Sequence, residues 1–184
     1  IKHFAGNESE IQRTTMSSQI DERSLREIYL IPFEWAVKKA GTKGLMTAYN
    51  KVNGTYASEH NWLLTEVLRG EWGFDGLVMS DWFGSHSTAP TVNAGLDLEM
   101  PGPPRDRGEK LVAAVDAGEV SRDAIRSRVR SVLSVMEWTG ALNDHRPFEE
   151  RAEDRPEHRR LIRRAGAEGM VLLKNQDILP LAPA

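Results

Sequence analysis

Residues 76–82, Gly76-Leu77-Val78-Met79-Ser80-Asp81-Trp82, run from a glycine through a short apolar stretch into a carboxylate and an indole. A run this short and this apolar reads as a strand buried on both faces, because strands of parallel sheets lose the alternation of half-exposed ones. A carboxylate where such a run meets water lies where α/β folds place their chemistry. The same pattern recurs: candidate strands end near His3, Tyr49, Asp81 and Glu99, separated by stretches of helical periodicity. Alternation of strand and helix implies a parallel sheet. The spacings fit βαβ units of about 30 residues or more, with one tight crossover. Polar residues at consecutive strand C-termini imply a (β/α) barrel whose site lies on the face where those ends gather. Four strands are half of the eight that such a barrel needs, so the expected fold is α/β, a partial TIM-type barrel.

Between the strands, residues 20–40 read as a helix with Asp21 as N-cap, Pro32 as a kink or split, and Gly41 as the terminator. Residues 44–49 form a buried strand candidate and residues 50–54 a turn-rich loop. Residues 58–72 read as a second helix burying Leu63, Leu64, Val67 and Leu68. A short helix is expected from Thr88 or Ala89 to Gly95, with Pro90 in its first turn, and a brief strand over residues 96–100. Residues 107–117 and 121–142 read as two more helices. The second presents Ile125, Val129, Val132, Leu133 and Met136 as an apolar face, with Arg126 and Arg130 outward. Residues 145–159 mix both charge signs with two prolines and read as a solvated linker. Residues 160–167 look helical, and residues 170–173 read as that helix's end or a new strand.

The bulk numbers narrow the classes. At 184 residues, 40% hydrophobic and 28% charged, the chain has the length and composition of a globular domain. A net charge of −3 gives no reason to expect nucleic acid or a membrane surface as partner. No run approaches the roughly 20 apolar residues of a membrane span. The absence of cysteine excludes disulfides and thiolate metal sites but leaves the compartment open. The chain opens on Ile1 without an initiator methionine and stops just after Leu179-Pro180-Leu181, so it is expected to be a piece of a longer protein.

Asp81, Lys2, His3, Arg13, Tyr49 and Trp82 would converge at the strand ends. An acid beside a flat aromatic suits a sugar: the carboxylate can attack or stabilise an anomeric carbon, and the ring can face the sugar's apolar side. Nearby cations and donors favour an ionised carboxylate. Each residue also has a plainer reading: Asp81 as an N-cap, Trp82 as loop packing, His3 as a satisfied core histidine, Tyr49 as strand-end packing, and Arg13 paired with Glu8 or Glu10. Asp97 and Glu99 read as makers of loop or strand-end hydrogen bonds.

Several motifs in order sharpen this. Lys2-His3-Phe4 is followed by Asn7 and Arg13. Then come Asp21-Glu22-Arg23, Leu25-Arg26-Glu27-Ile28-Tyr29-Leu30 with Pro32-Phe33, Met46-Thr47-Ala48-Tyr49-Asn50 with Asn53-Gly54, and Trp72-Gly73-Phe74 to Gly76. Ser80-Asp81-Trp82, Ala94-Gly95 with Asp97-Leu98, Met100-Pro101-Gly102, Lys174-Asn175 and Leu179-Pro180-Leu181 complete the set. Together they resemble glycoside hydrolase family 3, its β-glucosidase branch in particular. The resemblance implies that residues 1–142 are the C-terminal half of the barrel domain, 143–159 a charged linker, and 160–184 the start of a second, α/β sandwich domain. It implies a retaining, exo-acting β-glycosidase with Asp81 as the nucleophile and Tyr49 hydrogen-bonded to it. Lys2, His3 and Arg13 would be donors to the terminal sugar and Trp82 a wall of its subsite. The substrate would be a β-glucoside, with β-xylosides, α-arabinofuranosides or non-catalytic sugar binding as alternatives. No metal or organic cofactor is implied. The acid/base glutamate of this branch lies in the second domain, beyond residue 184. A hexosaminidase branch is disfavoured, because its motif Lys-His-Phe-Pro-Gly-His-Gly meets Lys2-His3-Phe4-Ala5-Gly6-Asn7-Glu8 here.

Overall fold

The computed structural model describes residues 1–144 and 149–182. The chain divides into two compact units, residues 1–145 and 146–184. In the first, the strands are β1 (Ser17–Ser18), β2 (Gly44–Met46), β3 (Lys51–Val52), β4 (Thr55–Tyr56) and β5 (Leu77–Met79). Its helices are α1 (Glu22–Ser24), α2 (Ile31–Lys38), α3 (Ala89–Ala94), α4 (Glu109–Asp116) and α5 (Arg122–Thr139).

The ladder that positions the site is parallel and follows chain order. β2 pairs with β5 in the register Gly44↔Leu77, Leu45↔Val78, Met46↔Met79. Phe4 bridges to Thr47 on one side and Leu98 to Met79 on the other, both parallel. The expected strands near His3 and over residues 96–100 are thus single bridges. Among the described residues each is paired on one side only. Leu45 and Val78 are buried, as continuous apolar strands require. Gly76 makes this pairing possible. A Cβ there would lie 2.7 Å from the Lys43 carbonyl carbon and 2.7 Å from the Phe74 ring.

Residues 50–54 are not a plain loop. β3 and β4 form an antiparallel hairpin, Lys51↔Tyr56 and Val52↔Thr55, and β1 adds to it in parallel. Asn53 (φ 50°) and Gly54 (φ 93°) make the two-residue turn, the Asn-Gly signature of a tight hairpin. The Asn53 side chain also bonds both the N–H and the carbonyl of Ile20.

The helices follow the expected order with altered geometry. Asp21 caps α1, accepting from the Ser24 N–H at 3.0 Å. The helix then widens into a π-helical turn over Leu25–Tyr29 before α2, where Pro32 lies in the first turn. That split matches a proline's missing donor. The stretch expected over residues 58–72 is a 3₁₀ turn, Ala57–Glu59, followed by a π-helix, Trp62–Glu71. It buries Leu63, Leu64, Val67 and Leu68 as expected. Together with Phe4, Phe33 and Trp72 they form the main core, with Phe4 edge-on to Phe33 at 5.0 Å and to Trp72 at 6.0 Å. Gly95 ends α3 in a left-handed conformation, φ 116°.

In α5 the expected apolar face holds in part: Ile125 packs against the core, and Arg126 and Arg130 face out as expected. Val129 and Leu133 are exposed, while Ser131 is buried and the Arg128 side chain is 15% exposed. The reason is electrostatic. Arg128 and Arg69 both reach the buried Asp97, at 3.2 Å and 2.6 Å, and Asp97 also accepts the Val78 N–H at 2.8 Å. A buried carboxylate needs that many partners. Burial still pushes Asp97's pKa up, opposed by Arg69, the Val78 N–H and Arg128. Burial likewise lowers that of Arg128.

The second unit holds α6 (Pro156–Gly169), which starts before the expected Arg160. Residues 170–173 form neither helix nor paired strand, and Met170, Val171, Leu172 and Leu173 are exposed. Of the expected linker, residues 145–148 lie outside the described residues, and residues 149–155 have no regular structure.

Candidate active site

Three neighbouring strand ends deliver the site. The Phe4 N–H donates to the Met46 carbonyl and the Ala48 N–H to the Phe4 carbonyl, which sets His3 beside the end of β2. The Thr47 N–H donates to Met79 O, which aligns Tyr49 with the end of β5 and hence with Asp81. The Ser80 N–H donates to Leu98 O, fixing the exit of β5 from its other side.

The consequence is a direct meeting of side chains. His3 Nε2 lies 3.2 Å from Asp81 Oδ2, with the Asp81 side chain 13% exposed and that of His3 34%. Tyr49 hydrogen-bonds to Asp81. Burial first, then the Asp81 charge and that hydrogen bond, raise the phenol above its ordinary pKa, while Arg13 opposes the rise. The phenol therefore stays a donor through the neutral range. Asp81 Oδ1 accepts the N–H of Trp82 at 2.7 Å. The carboxylate is held by three groups and still reaches solvent.

The remaining expected residues are distributed unequally. The Arg13 guanidinium lies 4.9 Å from the Tyr49 ring centroid and bonds Glu10 at 2.6 Å. It therefore takes part in a surface ion pair and also covers the phenol. Trp82 is 58% exposed, so it does not serve as loop packing. Lys2 is exposed and makes no hydrogen bond or ion pair with the described residues. It lines a hollow of about 510 Å³ with His3, Asn7, Glu8 and the α1–α2 side chains Tyr29 and Phe33. Water satisfies an exposed ammonium, so nothing among the described residues draws Lys2 to Asp81.

Beyond Asp81 the chain makes a tight turn. The Gly84 N–H donates to the Asp81 carbonyl at 2.9 Å, with Trp82 and Phe83 as the central residues. Phe83 has φ 62°, a left-handed value that a bulky side chain rarely takes. Its N–H donates to Met100 O at 2.9 Å, and Arg105 Nη2 donates to its carbonyl at 2.9 Å. The Arg105 guanidinium covers the Phe83 ring at 4.9 Å. Glu99 in turn accepts the N–H groups of Arg105 and Asp106, so it is a loop-ordering residue as expected. The sequence reading missed Phe83, the direct His3–Asp81 contact and the Arg69–Asp97–Arg128 cluster. The one available signal for the cluster was Arg128, three residues from Ile125 on the same face of α5.

Comparison with known proteins gives the family. Residues 1–135 match the glycosyl hydrolase family 3 N-terminal domain. The chain is 66% identical over 182 residues to a beta-glucosidase of Rhizobium radiobacter, covering 99% of this chain and 22% of that protein. It is 53% identical over 183 residues to beta-glucosidase B of Emericella nidulans, covering 98% of this chain and 22% of that one. The beta-glucosidase of Kluyveromyces marxianus, solved in complex with glucose, superposes with a TM-score of 0.82 at 43% identity, over 98% of this chain and 23% of that one. The chain thus spans about a fifth of the length of the relatives it matches. Over the span they share, the matched residues hold both the parallel ladder and the strand ends that carry His3, Tyr49 and Asp81: this chain belongs to glycosyl hydrolase family 3.

Proposed function

We propose that the chain carries the nucleophile side of a retaining, exo-acting β-glucosidase. Asp81 attacks C1 of a terminal β-linked glucose, the glycosidic bond breaks as the leaving oxygen is protonated, and a covalent glycosyl-enzyme forms. Water then attacks C1 and releases glucose. Tyr49 and His3 hold the carboxylate, Arg13 positions Tyr49, and Lys2 and His3 donate to the sugar's hydroxyls. Trp82 offers the terminal sugar an apolar face. The acid/base glutamate comes from the second domain. In this reading residues 1–142 are the C-terminal half of a (β/α)₈ barrel, residues 143–159 a linker and residues 160–184 the opening of an α/β sandwich. Its architectural support is the chain-order parallel ladder.

The observation that carries the mechanism is Asp81, solvent-reachable and in contact with His3 and Tyr49 at the ends of adjacent parallel strands. The test is Asp81→Asn in the whole protein, assayed on nitrophenyl β-glucoside. The expected result is a loss of ~10³-fold or more in kcat, about 4 kcal/mol of barrel-site transition-state stabilisation. Near-normal turnover would end the assignment. Parallel assays on nitrophenyl β-xyloside and α-arabinofuranoside rank the glycones.

A further inference from the structure

We infer that Phe83, paired with Arg105, is a receiving surface for the leaving group: an aryl aglycone or the apolar face of a second pyranose. The inference rests on Asp81 as nucleophile and adds a specificity-determining residue. Its starting point is an outlier. Phe83 occupies the third position of a tight turn at φ 62°, where glycine or asparagine is the unstrained choice. A bulky side chain in that conformation is costly, and such strain persists where the surroundings over-determine it, most often at functional sites. The surroundings do so here. The Phe83 N–H is held by Met100 O, its carbonyl by Arg105 Nη2, and Arg105 is itself anchored through Glu99. Yet the ring that this scaffold holds is not buried: Phe83 stays 54% exposed, with Arg105 stacked on it. Packing among the described residues does not explain a strained aromatic that is more than half exposed.

Position decides what it receives. The polar groups around Asp81, namely His3, Tyr49 and Arg13, come from the first two members of the ladder. Phe83 and Arg105 are tied to the opposite side, through Met100 and the loop that follows Leu98. A hydroxyl-rich glycone engages the polar side. The aromatic side suits a group presenting C–H bonds or a π-face.

The test uses Phe83→Gly and Phe83→Asn in the whole protein. Both residues accept a left-handed φ, so the turn is relieved and only the ring is lost. Melting temperature is expected to hold or rise. kcat/KM on nitrophenyl β-glucoside and cellobiose should fall about tenfold, the scale of one aromatic contact. On β-glucosyl fluoride, whose leaving group is a single atom, it should change by less than about twofold, as should inhibition by glucose. Phe83→Tyr should restore the aryl and cellobiose rates. Equal losses on all three substrates would mean that the ring positions Asp81 instead, and unchanged rates on all three would mean that it does nothing for substrate; either overturns the inference. Failure of the underlying reading is read separately, as a wild-type protein that turns over no glucoside or an Asp81→Asn variant that remains active.

Discussion

Asp81 is restrained from two directions, by His3 at 3.2 Å and by the Tyr49 hydroxyl, and each restraint has a different physical character. The imidazole adds a direct contact through Nε2. The phenol adds a donor whose proton is held more firmly than usual, because burial and the neighbouring carboxylate both oppose its loss. Removing that donor should cost what a hydrogen bond to a charged group is worth, about 1.5–3 kcal/mol. Tyr49→Phe in the whole protein is therefore expected to lower kcat/KM on a β-glucoside by about 10- to 100-fold with little change in melting temperature. The raised phenol also means that Tyr49 deprotonation cannot set an alkaline limb below the ordinary tyrosine range. Loss in Tyr49→Phe of an alkaline limb lying below that range would contradict this. These residue types were readable as a site because an ionisable group at the end of an apolar run is costly without partners. That the imidazole would meet the carboxylate directly was not readable.

β5 is where packing and chemistry meet. Its start is pressed against Lys43 and Phe74 at Gly76, its Val78 N–H is held by Asp97, and its end carries Asp81. A methyl group at position 76 collides with backbone, which cannot swing aside as a side chain can. Gly76→Ala should therefore destabilise by about 1–3 kcal/mol, read as a lower melting temperature of the whole protein. Unchanged melting would show that the strand shifts freely. The strand itself was plain from its apolar run. The hairpin at Lys51–Tyr56 was only half seen, because Asn53-Gly54 announces a tight turn while two-residue strands leave almost no alternation to read. Two residues of the α5 face, Val129 and Leu133, were misread for a related reason. Periodicity counts apolar residues, and it cannot anticipate that Asp97 draws Arg128 inward at the expense of Val129.

The described residues supply one carboxylate held by His3 and Tyr49, whereas the proposed retaining hydrolysis works with a pair. The relatives are several times longer, and this chain covers 22% of the first two. The isolated 184-residue chain is accordingly expected to show no glucosidase turnover, measured with nitrophenyl β-glucoside under conditions where the whole protein is active. Measurable activity would mean that the second carboxyl group lies within it. Among the described residues the parallel edge at Leu98 is unpaired, which adds an expectation that the isolated chain self-associates at high concentration, checked by light scattering.

Local pattern was enough for the α/β alternation, the order of strand ends and the buried face Leu63-Leu64-Val67-Leu68, because burial period, turn chemistry and strand-end polarity are written within a few neighbouring residues. Contact was a different matter. That His3 touches Asp81, that Arg13 lies over Tyr49, that Lys2 stands apart and that Arg69 and Arg128 converge on Asp97 all follow from which strands pair and in what register. Register joins residues far apart along the chain, and a shift of one position turns every side chain to the other face. Only the assembled ladder determines it.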